Sequence, residues 1–381
     1  MNNILTEDVL FLIHLLDDKA RIVGGAVRDA LRGENVNDID IATELSPQEV
    51  LERLTNANIR TMTAGIEHGT VMAIVNHKPY EITTLRCDIQ TDGRHAKVAF
   101  TNSYEQDAHR RDFTVNALYM DKNGTIYDYT GGQSDLKNNY VRFIGSANER
   151  VQEDYLRILR YFRFWAKLGH GKVDNDAIMA CSHFANQLNT ISSERKRYEF
   201  FAILSLLNCD KTLELMQQSG VLKYIVSTAF IPNLTSFLSI YPEAGIEEKL
   251  FVLTKNTPIH LPLSKAQKKL LTAFNWPISI SDNLRDERLK LYHMKQRVYH
   301  FHIYRSLAQQ LITSNTAETL LKLTPPVFPL RGQDFVDLGY PIGPKIQKCL
   351  KTAEAIWADN GFSDNKELVL KQFLVYNKRY G

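Results

Sequence analysis

Asp38 and Asp40 stand one residue apart in the stretch IVGGAVRDALRGENVNDIDIAT, downstream of the pair Gly24–Gly25. Residues i and i+2 of a strand point to one face, so a strand over residues 38–42 brings both carboxylates to one point. Two converging carboxylates make a hard, oxygen-lined site suited to Mg²⁺. Gly24 and Gly25 carry no Cβ, so their backbone can approach a phosphate closely. Their N–H groups, with the positive end of a helix over residues 26–31, can face a triphosphate. Arg28 lies one turn into that helix and can clamp phosphate oxygens with its fork of donors. Asp29 caps or pairs locally. A metal-binding acid pair beside a phosphate turn implies nucleotidyl transfer, in which a hydroxyl attacks an α-phosphate and pyrophosphate leaves. The plain alternative is a loop with solvated carboxylates.

Further along come HRRDFTVNAL, DYTGGQSDL, EDYLRILRYFRF and ISSERKRYEF, in that order. With GGAVRD and DIDIAT, they resemble the signature of the DNA polymerase β-like nucleotidyltransferase superfamily. In detail the chain is similar to the class II tRNA nucleotidyltransferase (CCA-adding enzyme) and bacterial poly(A) polymerase family. The likeness is close over residues 20–205 and looser beyond. It implies that Asp38 and Asp40 are catalytic and hold the metal. A third acid on a neighbouring strand is frequent in such proteins. Glu81, between Tyr80 and Ile82, fits that place or is an ordinary exposed strand acid.

The resemblance also implies that residues 110–119 handle sugar and phosphates. Arg110 and Arg111 each suit a phosphate, Arg111 the more so. Asp112 and Asn116 suit ribose hydroxyls, since both carry acceptors and Asn adds donors. Asp154 and Arg157, three apart and so neighbours on a helix, act in this family as a protein template for the incoming base. The chemistry agrees. Asp accepts from N4 of cytosine or N6 of adenine, and Arg donates to the adjacent ring nitrogen. Uracil and guanine present the opposite order and face acceptor with acceptor. Without the surrounding motifs the same pair is a surface ion pair. Arg160 and Arg163 follow at the same spacing, drifting by about 60° per step, and reach toward the triphosphate. Leu156, Leu159, Phe162 and Trp165 fill the other side as core.

Residues 88–100 (DIQTDGRHAKVAF) read as a polar loop containing Gly93. The resemblance ties such a loop to the change from C to A addition; the bland reading is a long connection. In residues 191–200, Ser192 or Ser193 caps a helix with Glu194 in its first turn. That helix supports the base-template helix.

These side chains need a scaffold. Residues 4–17 are apolar-periodic and read as a first helix, with no cleavage-site pattern of a signal peptide. Residues 20–23 and 38–42 read as strands. Ser46–Pro47 opens a helix, with Ser as N-cap and Pro at the first position. Residues 70–75 and 78–85 read as paired strands around Asn76–His77. Beyond about residue 145 helical periods take over, at 148–168, 174–187, 193–207, 210–218 and 245–254, and no clear strand returns. Pro-rich points at 257–262 and 324–329 mark linkers.

With 381 residues, 44% hydrophobic and 23% charged, the chain is of the globular class and too long for one ordinary core. A net charge of +3 neither demands nor excludes a nucleic-acid partner. No apolar run is long enough to span a membrane. Cys87, Cys181, Cys209 and Cys349 are scattered and fit reduced thiols in a cytoplasmic protein. The stretch 289–305 (LKLYHMKQRVYHFHIYR) interleaves Lys, Arg, His and aromatics. It reads as a partly buried amphipathic helix or as an RNA grip by charge and stacking. His293, His300 and His302 form no convincing metal set. Gly339, Gly343 and Pro344 shape a turn before a helix at 345–357, in a segment expected to hold a tRNA elbow by shape and phosphate contacts.

The expected class is α+β: a polymerase-β-like nucleotidyltransferase head, with a mixed sheet and helices, over 1–145. An all-helical neck (146–225), body (226–323) and tail (324–381) follow. The expected activity is template-independent addition of C, C and A to tRNA 3′ ends, with CTP, ATP and Mg²⁺. Poly(A) polymerase, a CC-only or A-only enzyme, and a silent RNA-binding protein are the alternatives. The oligomeric state is left open.

Overall fold

Nine strands form among the described residues: β1 (Ala20–Val23), β2 (Asp40–Thr43), β3 (Arg60–Met62), β4 (Thr70–Val75), β5 (Lys78–Thr84), β6 (Arg86–Gln90), β7 (Lys97–Phe100), β8 (Leu118–Met120) and β9 (Ile126–Asp128). The computed structural model of the chain describes residues 4–36, 38–90, 97–277, 279–281, 283–363 and 365–380. Seven strands make one mixed sheet in the order β3-β4-β5-β2-β1-β8-β9. Only the central pair β2–β5 is parallel, with Asp40 beside Glu81. Antiparallel β1–β2 sets Val23 against Asp40, so the Gly24 turn emerges beside that acid. Ile22, Ile41, Val71 and Ile82 are all buried and anchor the strands to the core.

Local chemistry explains several element boundaries. Ser46 caps the helix Pro47–Asn56 and Glu49 reaches back to it, a full capping box. The hairpin β4–β5 turns at Asn76 and His77, with φ of 49° and 64°. Two consecutive positive φ values match the right-handed twist of the flanking strands. The strand expected from Asp38 starts at Asp40 instead. Asp38 therefore precedes the strand, and strand alternation alone does not align the two carboxylates. The arms of the loop expected at 88–100 pair as the ribbon β6–β7; its tip, residues 91–96, lies outside the described residues.

After Asp128 the described chain forms helices and no further strand. The helix expected over 148–168 is two helices, Ala147–Glu153 and Arg157–Lys167. Asp154 breaks it in an extended conformation (φ −155°, ψ 106°). Its carboxylate accepts from Leu156 N at 3.1 Å, an alternative to helical pairing that short polar side chains favour. Ser192 caps Ser193–Ser205, as the sequence suggests.

The chain divides into two compact units, residues 1–231 with 257–262, and residues 232–256 with 263–381. The second unit is helical throughout among its described residues. Stretch 289–305 is split at Lys295 (φ 69°) between Leu284–Met294 and Gln296–Ala308. Tyr299, Phe301 and Ile303 of the second helix are buried. No helix among the described residues is long and apolar enough to cross a membrane.

Candidate functional site

In the first unit, the Gly24 turn, the start of β2, the segment 110–116 and the helix Arg157–Lys167 surround a cleft of about 480 Å³. Gly24, Gly25, Arg28 and Asp40 line it. So do Arg110, Arg111, Asp112 and Asn116, and Asp154, Arg157, Arg160 and Arg163. Asp38 and Glu81 do not line it. Seven arginines face three carboxylates across this space, Arg195 being the seventh. Such a surplus of guanidinium suits a polyanion of triphosphate size.

Gly24 holds φ 72° and ψ −123°, a conformation that glycine adopts without Cβ strain. A Cβ there would meet an Arg111 nitrogen and the Asn116 carbonyl, each at 3.5 Å. The Gly24 N–H is not offered to a ligand, because it donates to the Leu118 carbonyl at 2.9 Å. Phosphate contact at this turn falls to the residues that follow.

Asp40 is exposed, and its carboxyl is shifted above the usual carboxylate range. Partial burial is the main cause, the negative Glu81 beside it is next, and Asp38 adds to both; Arg111 opposes them. Like charges that face one another with one opposing cation fit a divalent ion. No group of three or more His, Cys, Asp or Glu among the described residues can hold a metal by itself. Two carboxylates completed by substrate phosphates is the arrangement Mg²⁺ prefers.

Arg110 and Arg111 share a buried counter-ion that sequence reading missed. Asp107, 1% exposed, accepts from Arg110 at 2.7 Å, Arg111 at 3.0 Å and the Tyr119 hydroxyl at 2.7 Å. Burial alone would push its carboxyl up, but Arg111 and Arg110 hold it down at about 2. Its spacing, three and four residues before the arginines, was the available signal.

Asp112 and Asn116 are buried within a chain of bonds. Arg28 donates to Asn116 Oδ1 at 2.5 Å, Asn116 to Asp112 Oδ1 at 3.0 Å, and Arg160 to Asp112 Oδ2 at 2.7 Å. Burial lowers the affinity of the Arg28 guanidinium for its proton, with Asp29 opposing. Asp29 pairs locally with Arg28 at 2.8 Å, as expected, and also with distant Lys167 at 2.8 Å.

Asp154 and Arg157 do not pair with each other. Arg195 donates to Asp154 at 2.6 Å, and Arg157 binds Glu153 at 2.5 Å and the Arg150 carbonyl at 3.0 Å. Arg163 binds buried Glu199 at 2.6 Å. Phe164, also missed, is surrounded by Arg163, Arg28 and Arg160, whose guanidinium carbons lie 4.5, 5.0 and 5.4 Å from its ring centre. Its place seven residues after Arg157 puts it on the same helix face. Arg195 left no local signal, since its partner is 41 residues away. Leu159 and Phe162 are fully buried on the opposite side, as expected, with Leu156 and Trp165 each 7% exposed.

Residues 20–142 match the family described as Poly A polymerase head domain, and residues 172–238 match Probable RNA and SrmB- binding site of polymerase A. The chain is 32% identical to CCA tRNA nucleotidyltransferase 1, mitochondrial, of Danio rerio, over 92% of this chain and 86% of that one. It is 33% identical to the protein of the same name from Mus musculus, over 97% and 90%. A solved structure of the Bacillus stearothermophilus CCA-adding enzyme in complex with CTP superposes with a TM-score of 0.68 at 25% identity, covering 99% of this chain and 98% of that one.

Proposed function

This chain belongs to the CCA tRNA nucleotidyltransferase family, and we propose from that premise that it adds C, C and A to tRNA 3′ ends from CTP and ATP without a nucleic-acid template. The observation that carries the reading is the arginine-rich cleft, which Asp40, Asp154 and Arg157 line together. Arg28, Arg110, Arg111, Arg160 and Arg163 bind the triphosphate. Asp112 and Asn116 position two of those guanidiniums and share their oxygens with the ribose. Asp154 accepts from the exocyclic amino group of C or A, and Arg157 donates to the ring nitrogen beside it. Uracil and guanine leave both groups unsatisfied, which can supply discrimination of about 10⁴.

Asp38 and Asp40 are the proposed ligands of Mg²⁺, which when bound lowers the pKa of the attacking 3′-hydroxyl and neutralises the departing pyrophosphate. Glu81 raises the negative charge at that place. Residues 1–145 are proposed as the catalytic head, 146–225 as the base-reading neck, and 226–323 and 324–381 as a body and tail that hold tRNA. The compartment proposed is the cytoplasm, consistent with the free thiols of Cys87, Cys181 and Cys349.

The test is an extension assay. A tRNA transcript lacking its last three nucleotides is given Mg²⁺ and each NTP singly, then CTP with ATP. Growth by two with CTP, one more with ATP, then a stop, supports the reading. A long ladder with ATP alone identifies poly(A) polymerase, the activity named in the matched head family. A stop after CC, or a requirement for a CC end, identifies a partial enzyme. No incorporation with any nucleotide leaves a silent RNA-binding protein.

A further inference from the structure

Arg305, the last residue of the basic–aromatic stretch 289–305, has no acid as a partner among the described residues. It lines two cavities of the second unit, of about 460 and 500 Å³, that share Asn275, Arg305 and Gln309. Both volumes are in the range of ligand sites. The first also has Lys255 and the apolar wall of Phe237 and Phe251; the second has Trp276 and His302. Among the described residues, no Asp or Glu lines either cavity.

The Arg305 guanidinium lies 5.4 Å from the Phe251 ring centre and reaches the Phe274 carbonyl at 3.4 Å. No carboxylate pairs with it among the described residues. Partial burial weakens its hold on its proton. Charges withdrawn from water are normally paired, so an unneutralised guanidinium at a cavity wall marks a place for an anion. Trp276 is 46% exposed at the rim of the second cavity, an open ring beside that charge. His302, 4% exposed, adds an Nε2 with no hydrogen-bond partner. Cation and exposed aromatic together are the pattern that binds a phosphate and its base.

We propose that these joined cavities bind a phosphate-bearing nucleoside, with Arg305 and Lys255 on the phosphate and Trp276 against the base. The choice of a nucleotide over another phosphate ester rests on the nucleotide-handling reading given above. Two sources share this chemistry, a free nucleotide and one nucleotide of an RNA strand.

The chain holds three tryptophans, so a ¹⁵N-labelled sample gives three indole signals, with Trp276 assigned by Trp276→Phe. Full-length protein is titrated with CMP and, separately, with a single-stranded RNA octamer. A saturable shift of the Trp276 signal, at least tenfold weaker in Arg305→Gln and in Lys255→Gln, is expected. Saturation by CMP identifies a free-nucleotide site; a response to the octamer alone assigns the site to an RNA strand. The other two indole signals report that the variants are folded. A Trp276 signal that moves with neither probe, or that saturates as tightly in the two variants as in the wild type, overturns the proposal. Calorimetric binding of CMP with no Trp276 response to either probe overturns it and leaves the cleft reading intact, whereas a wild-type chain that binds no nucleotide at all removes the cleft reading too.

Discussion

Arg195 donates to Asp154 at 2.6 Å, so the proposed base-reading carboxylate is held from the helix Ser193–Ser205 and not by Arg157. Its other oxygen accepts from Leu156 N. The carboxylate is thus oriented from both sides before a base arrives. Asp154→Ala should relax discrimination against UTP and GTP while leaving Mg²⁺ binding intact. Arg195→Ala keeps the acceptor and loosens its aim, so discrimination should fall by about tenfold, equivalent to about 1.4 kcal/mol. Single-turnover incorporation of all four NTPs measures both. Unchanged nucleotide choice in Asp154→Ala would sink the template role.

Asp40 predicts opposite effects on activity and stability. Its carboxyl is raised by burial and by Glu81. A raised folded-state pKa favours the protonated form, so the stability it contributes is full below the unfolded pKa. That contribution is lost as pH rises through the folded value. At neutral pH the ionised group is therefore a cost to the fold. Asp40→Asn should abolish incorporation while keeping or raising the Tm in EDTA. Glu81→Gln should move the acid limb of the pH–rate profile to lower pH. A lower Tm for Asp40→Asn, or an acid limb unmoved by Glu81→Gln, contradicts this account.

Asp107 carries the reverse sign. Its pKa is depressed to about 2 by the arginines it holds. Its stabilisation is present above the unfolded value of about 4 and fades as pH falls toward 2. Asp107→Asn removes one partner of a buried ion cluster, a change that typically costs about 3–5 kcal/mol. Urea unfolding at pH 7 should show that loss, and the gap between variant and wild type should shrink on acidification. A constant gap down to low pH would mean that the charge is not what Asp107 contributes.

Gly24→Ala tests the turn. With φ at 72° and ψ at −123°, an L residue is strained there by about 1–3 kcal/mol, and the new methyl touches Arg111. The KM for CTP and ATP should rise at least tenfold with a smaller change in Tm. Equal kinetics would show that the turn does not position Arg111.

What could be read from the sequence depends on near neighbours. The Ser46 cap, the hairpin at Asn76–His77, the strand Ala20–Val23 before its glycine turn, and the shared face of Arg157, Arg160 and Phe164 all follow from spacings of one to seven residues. Motif order along the chain was enough to name the family and six of the seven arginines of the cleft, all but Arg195. Tertiary structure alone decided which partner each charge takes. Arg28 meets Asn116 across 88 residues, Arg160 meets Asp112 across 48, and Arg195 meets Asp154 across 41. Local periodicity could not foresee the break at Asp154, because the extended residue is favoured by a cap and an arginine from another helix. The same holds for Arg305. Its residue type was plain in the stretch 289–305, but its lack of an acidic partner among the described residues became visible only in the folded chain. Helix and strand preferences act over a few residues, whereas charge pairing and burial are set by whichever segments the folded chain brings together.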